Sequence, residues 1–182
     1  MVLQYFRVID NIVKDSLEAV VEAKKDEDFM IVGGVAVQLY SNNPEIMRPT
    51  SDVDIFLTPN INYEIFSKDG EIGWRIKNNI IKNGYQCQLK RGRYINEVKV
   101  MDGQNNKAKQ LFFLHLTSYS GEFMSKYKHI LEREIYYANT LLIPKTEMKV
   151  KVKKIEDILP HKIKRLEKHV AYLPDPLKKS IL

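Results

Sequence analysis

The stretch Phe29-Met30-Ile31-Val32-Gly33-Gly34-Val35-Ala36 and the later stretch Arg48-Pro49-Thr50-Ser51-Asp52-Val53-Asp54-Ile55-Phe56-Leu57 carry the reading of this chain. The apolar run Phe29 to Val32, closed by a Gly-Gly pair, has the pattern of a buried strand entering a tight turn, and Val35 to Tyr40 resumes as a short helix. Asp52 to Leu57 is a second strand, stopped by Pro59. Successive side chains of a strand point to opposite faces, so Asp52 and Asp54 share one face while Val53 and Ile55 point into the core. Glycines after a buried strand let the backbone approach a phosphate closely, and the N–H groups that open the following helix suit the same anion. Gly33 and Gly34 are therefore the candidate triphosphate cradle. Two carboxylates side by side repel each other unless a divalent cation neutralises them. Oxygen donors of this kind suit Mg²⁺, which completes its shell with water and substrate phosphate. A Gly-Gly turn or an Asp-x-Asp pair alone is common as a turn or a capping device; their succession on two apolar strands is what points to nucleotide chemistry.

Working outward, residues 2–24 place apolar side chains at helical spacing, and Gly70 and Gly73 punctuate a second helical segment that runs to about Lys82 and ends at Asn83-Gly84. Three strand-like runs follow, Tyr85 to Lys90, Tyr94 to Met101 and Gln110 to Thr117, with Asp102-Gly103 as the turn of a hairpin between the last two. Beyond Ser120 a helix extends to about Tyr137, then come a short strand at Leu141 to Ile143 and an alternating stretch at Met148 to Val152. Ile155 to Val170 is a final amphipathic helix, which kinks at Pro160 or begins near it. This succession predicts an α/β or α+β domain, a mixed sheet flanked by helices, with a small helical tail. The division expected is a main domain over residues 1–144 and a basic strand-helix segment over 145–182 packed on it.

With 182 residues, 44% of them hydrophobic and 29% charged, the chain has the length and composition of a folded domain with a real core. No apolar run approaches the roughly 20 residues of a membrane-crossing helix, and the N-terminal stretch has no signal-peptide pattern, so a cytoplasmic location is expected. The single cysteine, Cys87, has no second thiol to pair with and reads as a buried small apolar side chain in preference to a nucleophile or ligand. Charge is uneven: residues 145–182 hold eleven Lys and Arg against five Asp and Glu, whereas the preceding 144 residues balance at 18 of each sign. Such a tail fits a polyanionic partner or a solvated lysine-rich face.

Gly33-Gly34, the helix behind it and Asp52-x-Asp54 resemble the first motif of the polymerase-beta-like nucleotidyltransferase superfamily. The lead-in Arg48-Pro49-Thr50-Ser51 is similar to that of the abortive-infection AbiE-type toxin nucleotidyltransferases, and Ile155-Glu156-Asp157-Ile158-Leu159 leading to Lys162 resembles their second motif. The resemblance implies a nucleotidyltransferase-like fold and Mg²⁺ held by Asp52 and Asp54. It also implies transfer of a nucleoside monophosphate from a nucleoside triphosphate to an RNA or protein hydroxyl. Gly33, Gly34, Arg48, Ser51 and Lys162 would bind the nucleotide, and an antitoxin protein is the implied partner.

A third carboxylate normally completes such a site as base or metal ligand. Two residues are candidates for the catalytic role. Glu97 lies on the face of its strand opposite Val98 and Val100, beside the aspartates if the strands are adjacent. His115 interrupts the apolar run Leu111 to Leu114, where the family often carries its third acid. The family's later Asp-containing motif has no counterpart after Lys162, where only Asp175 follows. This leaves open a second reading, a catalytically degenerate module that binds nucleotide, RNA or a partner protein.

Overall fold

The structure is a computed structural model that describes residues 4–24, 28–58, 71–92, 95–102, 111–117 and 122–171. Among the described residues five α-helices, α1 (Asn11–Ala23), α2 (Gly33–Leu39), α3 (Ile72–Lys82), α4 (Glu122–Tyr136) and α5 (Ile155–Ala171), accompany seven strands. These are β1 (Phe29–Val32), β2 (Asp52–Leu57), β3 (Tyr85–Lys90), β4 (Asn96–Asp102), β5 (Leu111–Thr117), β6 (Asn139–Leu142) and β7 (Lys149–Val152). The strands form one mixed sheet in the order β3-β4-β5-β2-β1-β7-β6. β2 runs parallel to β5 and antiparallel to β1, and β1 runs parallel to β7.

Alternation along the central strands divides the sheet into two unlike faces. One carries Val53, Ile55 and Leu57 with Phe29, Ile31, Val98, Val100, Phe112, Leu114 and Leu116, all buried in the main core. Over this face lie α1, with Ile12, Val13, Leu17 and Val20 inward, and α3, with Ile72, Ile76 and Ile80 inward at helical spacing. The two helices are tied by Arg75 Nε donating to the Ala23 carbonyl at 2.7 Å and Asn79 Nδ2 donating to the Ala19 carbonyl at 3.2 Å. The other face carries Asp52, Asp54, Phe56, Met30 and Val32. α4 covers one end of it, where Leu131 and Ile135 close a small second core with Met30, Val32 and Phe56.

The N-terminal stretch departs from the expected helix. α1 begins at Asn11, because Asp10 Oδ2 accepts the Arg7 N–H at 2.6 Å and holds the chain in a turn before the first helical residue. Phe6 instead pairs with Thr50, the two exchanging backbone hydrogen bonds of 2.7 and 2.8 Å. Buried Gln38 then links this strap to the loop before β2, accepting the Val8 N–H at 2.7 Å and donating to the Arg48 carbonyl at 3.0 Å. α5 starts at Ile155 and runs through Pro160, so the helix does not begin at the proline. β6 starts two residues before and ends one before the Leu141 to Ile143 expectation and forms a hairpin with β7, where Lys145 takes a left-handed φ of 62°. β7 lies inside the sheet, between β1 and β6. β4 and β5 pair antiparallel as the Asp102-Gly103 turn implies; that turn from Gly103 on, like Pro59, Gly70 and Asp175, lies outside the described residues.

Candidate active site

The open face of the sheet gathers four titratable side chains into one row. Register sets it: Asp54 of β2 is opposite His115 of β5, and His115 is opposite Glu97 of β4. Asp52, two residues before Asp54, points the same way. His115 Nδ1 lies 3.3 Å from Asp54 Oδ1 and 3.6 Å from Asp52 Oδ2, while Nε2 faces Glu97 Oε2 at 3.8 Å. All four are half-buried, with side chains between 24% and 38% exposed, so the cluster borders solvent without being washed by it. The hydrogen bond to Asp54 raises the His115 pKa; burial opposes this, and the charges of Asp54, Asp52 and Glu97 add to the rise. The carboxylates around His115 thus favour its protonated form.

Each sequence-predicted residue has a definite place. Glu97 is on the expected face, but β4 is not adjacent to β2. β5 lies between them, so Glu97 reaches the aspartates only through His115. Val32, the last residue of β1, pairs with Asp54, which puts Gly33 directly against the carboxylate. A Cβ at Gly33 would collide with Asp54 Oδ2 and displace the carboxylate, and the residue holds a left-handed φ of +74° that favours glycine. At Gly34 a Cβ would meet Thr50 Oγ1 at 3.3 Å. α2 begins at Gly33 itself and not at Val35. Ser51 fixes strand pairing through its carbonyl, which accepts the Phe113 N–H at 3.1 Å. Arg48 has an exposed side chain and its backbone turned to Gln38.

A cleft of about 620 Å³ opens beside the row. Gly33, Asp54 and Phe56 form its floor, Ile130, Leu131 and Glu134 of α4 one wall, and Asp157, Ile158, His161, Lys162 and Arg165 of α5 the other. The α5 residues recur at helical spacing, which turns Lys162 and Arg165 toward the same space as Asp54. Arg48 and Ser51 do not line it. Lys153, at the end of β7, also borders the cleft and is held by Glu134 at 3.0 Å.

Sequence reasoning missed several of these residues. Thr50 donates its hydroxyl to Asp52 Oδ1 at 2.6 Å and so orients that carboxylate; a threonine two residues before the first aspartate was the available signal. Glu134, His161 and Arg165 enter the cleft only through the packing of α4 and α5. Next to it lies a second hollow of about 600 Å³ that includes Arg133, Tyr137 and Lys154. There the exposed Tyr137 ring has the Arg133 guanidinium 6.0 Å and the Lys154 ammonium 5.9 Å from its centre. Cys87 is remote from all this, and burial, opposed by Lys77, pushes its thiol up to about 12.

No family model and no curated protein matches this sequence. Among solved structures, the chain is similar to an antigenic nucleotidyltransferase-like protein from Paracoccidioides brasiliensis. The TM-score is 0.54 at 20% identity, covering 88% of this chain and 67% of that one. It also matches the Cid1 poly(U) polymerase bound to MgGTP, with a TM-score of 0.37, 11% identity, and 69% and 37% of the two chains covered. A third match is a cytoplasmic RNA terminal U-transferase, with a TM-score of 0.34, 12% identity, and 57% and 26% covered. The chain thus spans about two thirds of the first protein and much less of the other two. The fold is nucleotidyltransferase-like, a seven-stranded mixed sheet flanked by helices. Among the described residues no helix is long and apolar enough to cross a membrane.

Proposed function

We propose that this protein is a divalent-metal-dependent nucleotidyltransferase that moves a nucleoside monophosphate from a nucleoside triphosphate to an acceptor hydroxyl, releasing pyrophosphate. The observation that carries the reading is the contact between Gly33 and Asp54: a glycine turn pressed against a metal-binding carboxylate at the mouth of a cleft with basic residues on its wall. The donor set fits a cation. Ligand atoms of Asp52, Asp54 and His115 lie within 4.8 Å of one another, and the missing Cβ of Gly33 makes the room that the Asp54 carboxylate occupies. Asp52 and Asp54 would hold the metal, with Mg²⁺ the ion that carboxylate oxygens suit. A metal bound there supplies charge neutralisation for the triphosphate and for the developing charge at phosphorus.

The chain's own groups do the rest. Gly33 and Gly34 admit the phosphates, Lys162 and Arg165 offset their charge from the α5 wall, and Thr50 keeps Asp52 turned toward the site. RNA is the favoured acceptor over a protein hydroxyl, because Tyr137 between Arg133 and Lys154 offers stacking and phosphate contacts beside the cleft. Arg48 and Ser51 act by shaping the loop before β2. The resemblance of that loop to AbiE-type toxins supports a toxin–antitoxin or phage-defence setting, with an antitoxin as partner, in the cytoplasm. One observation favours the alternative of a non-catalytic binding module: a histidine stands at the position where the resemblance implies a third acid. The test is incubation with each of the four α-labelled nucleoside triphosphates, a divalent cation and total RNA. Label should pass to RNA with wild type and not with Asp54→Asn. Labelling that is equal in the two proteins refutes the assignment, and none with a folded wild type favours the binding module.

A further inference from the structure

We infer that His115 is itself a ligand of the metal, oriented by Glu97, and that the site therefore prefers a cation with affinity for nitrogen, such as Co²⁺ or Zn²⁺, over Mg²⁺. This rests on the proposed metal-dependent activity and concerns the ion it uses. Nδ1, not the ring edge, faces the two aspartates, at 3.3 and 3.6 Å, so a ring nitrogen occupies the same small volume as the carboxylate oxygens. A metal held by Asp52 and Asp54 would have that nitrogen among its nearest donors. The opposite nitrogen faces Glu97 across 3.8 Å, and a short swing of that flexible carboxylate closes the gap to a hydrogen bond. Metal-binding histidines commonly donate their second N–H to a carboxylate in this way, which fixes the ring and makes the ligating nitrogen more basic. Register supports the same division of labour: β5 is the middle strand of the three, so His115 lies between Asp54 and Glu97. Imidazole suits zinc and the later first-row transition metals, whereas Mg²⁺ sites are built from oxygen. One histidine with two carboxylates is a donor set for the former.

His115 is thus a metal ligand and Glu97 a positioning residue. The test titrates the metal alone, without nucleotide, into full-length protein by calorimetry, with Mn²⁺, Co²⁺ and Mg²⁺ in separate runs. Electron spin-echo measurements on the Mn²⁺-loaded protein then look for coupling to ¹⁴N. Wild type should bind Co²⁺ at least ~100-fold more tightly than Mg²⁺ and show nitrogen coupling. His115→Gln should lose the coupling, and His115→Asp should narrow the Co²⁺ to Mg²⁺ ratio by ~10-fold or more. His161→Gln, which removes the nearby histidine of the cleft, should keep the coupling. Glu97→Gln should weaken Co²⁺ binding by ~10–100-fold with the coupling retained. Metal binding without nitrogen coupling, or coupling that survives His115→Gln, overturns the inference and leaves the metal-dependent reading standing. Nitrogen-coupled binding with no nucleotide transfer does the reverse. A folded wild type that binds none of the three ions overturns both.

Discussion

The two faces of β2 are built from alternate residues of one six-residue strand and do opposite things. Val53, Ile55 and Leu57 are fully buried beneath α1 and α3, where apolar area removed from water stabilises the fold. Asp52 and Asp54 lie on the open face beside His115, with Asp54 and Gly33 at the edge of the cleft, where like charges are held close at a cost in repulsion that a counter-ion relieves. Strand geometry lets adjacent residues differ this much, since a shift of one position moves a side chain through the sheet. Stability and chemistry are therefore separable, one residue apart.

The sharpest way to break that comparison is to change neighbours. Asp54→Asn should reduce transfer by at least about a thousandfold, the several kcal/mol that a lost metal site costs a phosphoryl-transfer step. Its melting temperature should stay within about 3 °C of wild type, because the substitution is isosteric and on the solvent-bordering face of the sheet. Ile55→Ala should do the reverse, costing about 2–5 kcal/mol in urea unfolding through the cavity it leaves, while the folded fraction still binds nucleotide. A large stability loss in Asp54→Asn, or unaltered stability in Ile55→Ala, contradicts the division.

Gly33→Ala falls between the two faces. A left-handed φ costs an L-residue about 1–2 kcal/mol, and the new methyl must displace the Asp54 carboxylate. Moderate destabilisation should accompany a loss of metal affinity of ~10-fold or more, read by denaturation and by metal titration. The smallest effect is on pH dependence. His115 has a folded-state pKa raised chiefly by its hydrogen bond to Asp54, so its ion pairs stabilise the metal-free protein fully below the unfolded value of about 6.5. That contribution is lost as pH rises through the raised folded value. Urea unfolding in the presence of a chelator should show the decline above about pH 6.5, and His115→Gln should flatten it; identical slopes for the two proteins remove the imidazolium from the account.

What could be read in the sequence was whatever local periodicity encodes. The strand ending in Gly33-Gly34, the alternation that puts Asp52 and Asp54 together, and the face of Glu97 all follow from side-chain period alone. Strand order does not. Whether β4 or β5 lies beside β2 depends on a crossover through α3, β3 and β4, and only the assembled sheet shows that His115 separates Glu97 from the aspartates. Nearness in sequence is not nearness to the cleft: Arg48 and Ser51 precede the aspartates and do not line it, whereas Lys153, Lys162 and Arg165 border it from far along the chain. The overlong first helix has a similar cause. Phe6 keeps helical spacing with the residues after it, but its backbone is taken by Thr50.

The central claim is that the open face of β2 is a metal-dependent nucleotide site, and calorimetric titration of each nucleoside triphosphate tests it without knowledge of the acceptor. Wild type and the Asp52→Asn/Asp54→Asn double variant are compared with Mg²⁺, with Mn²⁺ and with neither. The account predicts binding of at least one triphosphate that requires a divalent cation and is lost in the folded double variant. Binding that persists in that variant, or that is indifferent to metal, would contradict it.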